Sequence, residues 1–237
     1  MEPQNIYKVE LHAHTDETSL CGHVPAAGQV ELYLKGGYQC LVLTDHYFPD
    51  FFTKLYPGKS WDEYADMLLA GYRAAKKAAE GTALTVLLGF ELRSYEGMED
   101  FLCYGMTEED VYRYPMICQK SVKDMCDFAH QKGWFINQAH PYRDDYAQLH
   151  PVKDPTLIDA VEVYNGTPYV HNHNELALEW ARKHHVIELS GSDAHRDYGA
   201  CRGGIAFPYP IYSSQALIEG IKKQDYTLLR TQDEMQY

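Results

Sequence analysis

Val9-Glu10-Leu11-His12-Ala13-His14, near the start of the chain, ends an extended apolar run in two histidines separated by one small residue. On a strand, side chains at i and i+2 share a face, so both imidazoles point at one spot. A metal ion asks this of its first two ligands. Two ordinary surface histidines can show the same spacing. The pattern gains meaning because four later runs end alike: Leu43-Thr44-Asp45-His46, Leu88-Gly89-Phe90-Glu91, Asn137-Gln138-Ala139-His140 and Gly191-Ser192-Asp193-Ala194-His195. Each is an apolar, strand-like segment finishing in a His, Asp or Glu able to bind metal.

Between these runs lie helical signals. Strand patterns cover 6–12, 39–44, 84–90, 100–105, 134–139, 159–164 and 186–190, and helical patterns cover 25–36, 61–80, 107–113, 119–132, 170–184 and 213–223. A further helical segment falls near 144–150. Pro25 and the Gly36-Gly37 pair bound the first helix, and Ser60 stands where a cap would precede Trp61. Residues 93–99 read as the turn of a hairpin, and the aromatic stretch Tyr47 to Ser60 reads as a lid or pocket wall. Alternating strands and helices argue for a parallel α/β fold. A doubly wound open sheet would focus its ligands at one switch point. Ligands at the carboxyl ends of so many strands favour a closed barrel instead. With no internal repeat, low-complexity tract or linker, one domain over 1–237 is expected.

Composition narrows the partners. The 237 residues carry 34 acidic and 21 basic side chains, a formal net charge of -13, which repels polyanions and disfavours nucleic-acid binding. Bound divalent cations would cancel part of that charge. The six cysteines (Cys21, Cys40, Cys103, Cys118, Cys126, Cys201) form no C-x-x-C pair and suggest neither a disulfide framework nor a cysteine zinc knuckle. No apolar run approaches the ~20 residues of a membrane span, and the polar residues 1–5 do not resemble a signal sequence. A cytoplasmic setting is the expectation.

Taken together and in order, His12-Ala13-His14, Cys21-Gly22-His23, Thr44-Asp45-His46, Glu91, His140-Pro141 and Gly191-Ser192-Asp193-Ala194-His195 resemble the PHP (polymerase and histidinol phosphatase) family over nearly the whole length. The resemblance implies a distorted (β/α)7 TIM-like barrel of the PHP type, with a trinuclear metal centre that hydrolyses phosphoesters through a metal-activated hydroxide. By position it implies a first metal on His12, His14, Glu91 and Asp193. Glu91 would bridge to a second metal on His140, and a third would sit on His23, His46 and His195. The second metal's usual extra histidine aligns with Asp100, a departure from the family pattern. The Cys21-Gly22-His23 loop is similar to that of the histidinol-phosphate phosphatase branch, though the chain is short for it.

The residue types support this chemistry independently. Imidazole and carboxylate without thiolate suit zinc, manganese or iron, without choosing among them. Two or three such ions can activate water and clamp phosphoryl oxygens, so no separate nucleophile is needed. Glu91, Asp193 and His195 are the expected catalytic groups. Arg93, Arg143 and Arg196 each lie within three residues of an expected ligand, and with Arg202 they are the candidates to anchor the phosphate. Asp16 and Asp45 are candidates to orient a histidine from behind. Tyr47, Tyr142 and Tyr164 follow ligand strands and are candidate cavity walls. His171 and His173 repeat the His-x-His spacing but open a helical pattern, which would turn them apart onto the surface.

The leading expectation is a metal-dependent phosphomonoesterase for a small molecule. A phosphodiesterase or nuclease would use the same metals but meets the acidic charge. An amidohydrolase shares the opening His-x-His, yet typically has lysine where Glu91 stands and lacks counterparts to His23, His46 and His195. A non-catalytic metal-binding protein would show a similar ligand set.

Overall fold

The computed structural model describes residues 6–144 and 150–231; most of the helical segment expected near 144–150 lies outside that range. The apolar runs form strands β1 (Tyr7–Glu10), β2 (Tyr38–Leu43), β3 (His46–Tyr47), β4 (Thr85–Arg93), β5 (Asp100–Tyr104), β6 (Phe135–Gln138), β7 (Ala160–Asn165), β8 (Ile187–Gly191), β9 (Ile205–Phe207) and β10 (Thr227–Leu228). The helices are α1 (Ala26–Lys35), α2 (Trp61–Leu68), α3 (Ala70–Ala78), α4 (Glu108–Arg113), α5 (Val122–Gln131), α6 (Asn174–His184) and α7 (Ser214–Lys223).

Seven strands are the staves of a barrel in the order β1-β2-β4-β5-β6-β7-β8. β1, β2 and β4 run parallel, as do β6, β7 and β8, while β5 runs antiparallel to both neighbours. This is the hairpin expected around residues 93–99. The seam between β8 and β1 makes the barrel irregular. At its carboxyl end a parallel bridge pairs Ala13 with Ala194, with His14 N–H donating to Ala194 O at 3.1 Å. Toward the other end β9 lies antiparallel on β1, with β10 beyond it. Closure is therefore made by the very segments that carry His12, His14 and Asp193.

Local chemistry explains the element ends. Ser60 Oγ accepts from Glu63 N–H and the Glu63 carboxylate accepts from Ser60 N–H, a reciprocal cap for α2 whose serine contributes about 1 kcal/mol. The helix expected over 61–80 divides at Leu69 into α2 and α3. Of the expected lid or pocket wall, Tyr47, Phe51 and Phe52 are core, Phe48 borders the cavity at the mouth, and most of the remainder is exposed. Phe51 and Phe52, on a π-helical turn over Phe51–Leu55, pack with Tyr47, Trp61 and Tyr64. Large apolar side chains buried this way stabilise the fold by about 1.5–3 kcal/mol each. Tyr47 is fully buried and its hydroxyl accepts from Ile117 N–H, so it packs the body rather than walling a cavity.

The largest departure is at α6, which begins at Asn174 rather than 170. His173 precedes it in the left-handed region, at φ 40°. Residues 171 and 173 therefore belong to a loop, and the helical argument for their divergence fails. Among the described residues no helix is long and apolar enough to cross a membrane.

Candidate metal centre

Five of the seven staves deliver their side chains to one mouth. β1 runs into His12 and His14, β2 into Asp45 and His46, β4 carries Glu91 near its end, β6 leads to His140, and β8 leads to Asp193 and His195. His46 pairs with Glu91 in register, which places imidazole beside carboxylate. The imidazoles crowd together: ring centroids lie 5.0 Å apart for His12 and His14, 4.6 Å for His14 and His46, 4.1 Å for His14 and His195, and 5.6 Å for His12 and His140.

Glu91 is the hub. Its Oε1 lies 3.0 Å from His140 Nε2 and 3.5 Å from His12 Nε2, and its Oε2 lies 3.0 Å from His46 Nε2 and 3.7 Å from His14 Nε2. Asp193 Oδ1 sits 3.4 Å from His12 Nε2, 3.2 Å from His14 Nε2 and 3.2 Å from His195 Nδ1. Three sets of donors converge closely enough to share an ion: His12, His14 and Asp193; His12, Glu91 and His140; and His14, His46 and His195. Whether these residues fit cations is answered by the atoms left over. His12 Nε2, His14 Nε2 and Asp193 Oδ1 are buried without a hydrogen-bond partner. Buried polar atoms are rarely left so, and three lone-pair donors converging in this way are a donor set that fits a cation.

Charge in this cluster is balanced internally. Burial disfavours the charged form of His12, but the carboxylates of Asp193, Glu162 and Glu91 outweigh it and hold its pKa well above the ordinary value. Burial and the neighbouring His195 push His14 well below its ordinary value, leaving a neutral ring suited to coordination. Burial raises the Asp193 and Glu91 carboxyls, yet the surrounding imidazoliums, His12 foremost, bring both well below the usual range.

Backbone strain accompanies the ligands. His140 and Asp193 occupy positive φ, 27° and 51°. Such conformations cost about 1–3 kcal/mol each and persist where the surroundings impose them. Gly191 is required by proximity: a Cβ there would stand 2.4 Å from Glu162 Oε1 and 2.6 Å from His12 Cβ.

The structure rearranges several expected members. His23 is exposed and borders the mouth, and its backbone N–H donates to His195 O at 2.8 Å, but its side chain joins none of the three sets; His14 is the third member beside His46 and His195. Cys21 is the side chain of that loop that reaches inward, its Sγ 3.7 Å from His46 Nδ1. Asp100 is buried at the mouth but claimed by Arg93, which stands opposite it in the β4–β5 register and donates twice at 2.7 Å. Asp100 stays 3.9 Å from His140 and joins none of the three sets. Arg93 is correspondingly occupied, and it also stacks over Phe48 at 4.1 Å. Arg143 donates to Asp193 Oδ2 at 2.8 Å. Arg202 is not at the mouth: its Nε donates to Gly166 O and props the turn after β7. Arg196 is exposed at the rim.

A cavity of about 470 Å³ opens onto the cluster, bordered by Glu91, Asp193, His195, Arg143 and Arg196. Its aromatic walls are Phe48, Tyr169 and Tyr198, in place of the expected Tyr47, Tyr142 and Tyr164. A larger cavity, about 740 Å³, lies among Tyr72, Thr85 and Tyr212, and none of the three donor sets borders it.

Behind the ligands stands a second layer, and its central member, Glu162, lies outside the sequence motifs. Glu162, buried in the middle of β7, accepts at 3.1 Å from His12 Nδ1, at 2.9 Å from His140 N–H and at 2.8 Å from Asn165. A charged residue inside the apolar run Ala160-Val161-Glu162-Val163 was the available signal. Asp45 serves His14 at one remove: it accepts from Ser19 Oγ at 2.7 Å, and Ser19 Oγ lies 3.4 Å from His14 Nδ1. Asp16 is exposed.

Comparison with known proteins agrees with this architecture. A family model described as PHP-associated matches residues 171–226. No curated protein sequence matches. A two-domain protein of Bacteroides vulgatus containing a predicted PHP-like metal-dependent phosphoesterase aligns over 95% of this chain at 17% identity, with a TM-score of 0.67. The chain spans 65% of that protein's length. PsfC of Pseudomonas syringae aligns over 96% of this chain and 93% of its own at 15% identity, with a TM-score of 0.67. The lesion-specific endonuclease PfuEndoQ of Pyrococcus furiosus aligns over 94% of this chain and 58% of its own at 15% identity, with a TM-score of 0.62. At these identities the likeness establishes the fold, a PHP-type barrel.

Proposed function

From a PHP-type barrel and a PHP-associated segment, we propose that the chain is a metal-dependent phosphoesterase acting on a small soluble phosphomonoester. The observation that carries the reading is the group of partnerless buried atoms, His12 Nε2, His14 Nε2 and Asp193 Oδ1, facing one another around Glu91. The neighbouring sets reached through Glu91, His140, His46 and His195 support two or three divalent ions, with zinc, manganese and iron all suited to such donors. When bound, such ions activate water and neutralise phosphoryl charge.

The chain's own residues do the rest. Glu91 and Asp193 hold the charge of the site from the cavity floor, and His195 presents an imidazole beside them. Arg196, exposed at the rim, is the cation best placed to meet a phosphate dianion, with Arg143 held nearby by Asp193. The modest cavity and the net charge of -13 favour a small substrate over a polymer. A phosphodiester reading is kept because the endonuclease PfuEndoQ shares the barrel. Six free thiols are in keeping with a reducing, cytoplasmic setting.

The test is a screen of phosphomonoesters, histidinol phosphate among them, against phosphodiesters and single-stranded oligonucleotides, run beside elemental analysis of the same preparation. Monoester turnover that needs the bound metal, and that His14→Ala abolishes, is expected. Preference for the oligonucleotides would replace the monoester reading. No turnover of any phosphoester by fully metal-loaded protein would end it.

A further inference from the structure

Outside the barrel mouth a second histidine pair converges. His171 and His173 lie in the loop before α6, with ring centroids 3.9 Å apart. Both rings face one carboxylate oxygen: Asp144 Oδ2 is 2.8 Å from His173 Nε2 and 3.6 Å from His171 Nδ1. His173 itself takes a left-handed backbone, at φ 40°. The loops are also tied through the main chain, with Asp144 N–H donating to His171 O at 2.8 Å. Two imidazoles and a carboxylate, their donor atoms within 4.8 Å of one another, make a fourth convergent set. It shares no residue with the three sets at the mouth.

We propose that Asp144, His171 and His173 bind a divalent cation of the zinc type at the rim, separate from the central cluster. Two histidines and one carboxylate are a common zinc donor set that leaves coordination positions open to water. Asp144 and His171 are each about half exposed, which gives the ion a way in. The acidic chain favours a cation here as well. Bound there, the ion joins the loop that carries Arg143 to Asp193 with the loop that carries Tyr169 to the cavity wall. Its role is that of a clasp on the mouth rather than of a reaction centre.

The experiment counts zinc on tag-free, full-length protein. Metal-stripped wild type and the double variant His171→Ala/His173→Asn are titrated with zinc alone, asparagine being chosen because it tolerates the left-handed position. The double variant should bind one equivalent fewer, while its turnover with saturating metal stays within about threefold, as expected for residues that touch no reacting atom. Equal equivalents in the two proteins would overturn the proposal. Asp144→Asn guards against misfolding of the double variant. That change keeps the side chain's shape but removes its charge, and it should weaken the same equivalent about tenfold or more. Unweakened binding in Asp144→Asn would also overturn the site. Because the readout is a difference between variant and wild type, it stands whether or not the central cluster proves to hydrolyse phosphoesters.

Discussion

The two His-x-His pairs of this protein share a spacing and little else. His12 and His14 directly follow a strand, are fully buried, and face Glu91 and Asp193 with nitrogen atoms that have no hydrogen-bond partner. His171 and His173 stand in a loop ahead of a helix, are 56% and 28% exposed, and share a single carboxylate. In the first pair the fold imposes the geometry, by closing the barrel through Ala13 and Ala194 and by setting Glu162 behind His12. In the second the geometry is local: a left-handed His173, a main-chain hydrogen bond from Asp144 to His171, and the buried side chain of the intervening Asn172 donating to Asn165. A ligand pattern is therefore only as meaningful as the scaffold that holds it. Buried charge that is pre-organised can do chemistry, whereas exposed donors can at most fasten.

That contrast can be broken by substitution. The hub should matter most: Glu91→Ala, which removes the carboxylate that four histidines approach, should lower kcat/KM by at least about 10³-fold, or some 4 kcal/mol. Steady-state kinetics on metal-loaded protein with an unchanged circular dichroism spectrum would measure it, and a loss under tenfold would deny Glu91 its central place. Next comes the layer behind. Glu162→Gln keeps the shape but cannot accept in the same way from His12 and His140, so metal affinity or turnover should fall about 10–100-fold. An unchanged metal affinity and kcat together would make Glu162 a packing residue only. At the rim, Arg196→Ala should raise KM for a monoester about tenfold with kcat within twofold, since it meets substrate without touching the buried set. The matching change at Arg202 should leave KM alone, because that guanidinium is bonded to Gly166 O. The smallest effect on turnover belongs to the His171 and His173 double variant, whose signature is a lost equivalent of metal.

Much of the barrel is written locally. The runs that become β2 and β4 are apolar enough to be buried on both faces, and each ends in polar residues that can only face a mouth. His12, His14, His46, Glu91, His140, Asp193 and His195 could thus be read as a converging set before any coordinates. The α6 boundary could not, because the helical pattern of residues 170–184 runs through a loop that a left-handed histidine ends.

What the sequence determined by itself is the menu: strands, their polar ends, and i, i+2 pairs whose shared face follows from backbone geometry. What only the tertiary structure decided is who meets whom. Asp100 is held by Arg93 because the hairpin register sets them opposite each other, and His14 meets His46 and His195 because closure pairs Ala13 with Ala194, whereas the loop of His23 meets His195 through its main chain. Glu162 reaches His12 across 150 positions of chain, past a glycine with no side chain to block it. Such contacts are selected by register, closure and space, which are properties of the whole chain packed at once, and no short stretch of residues carries them.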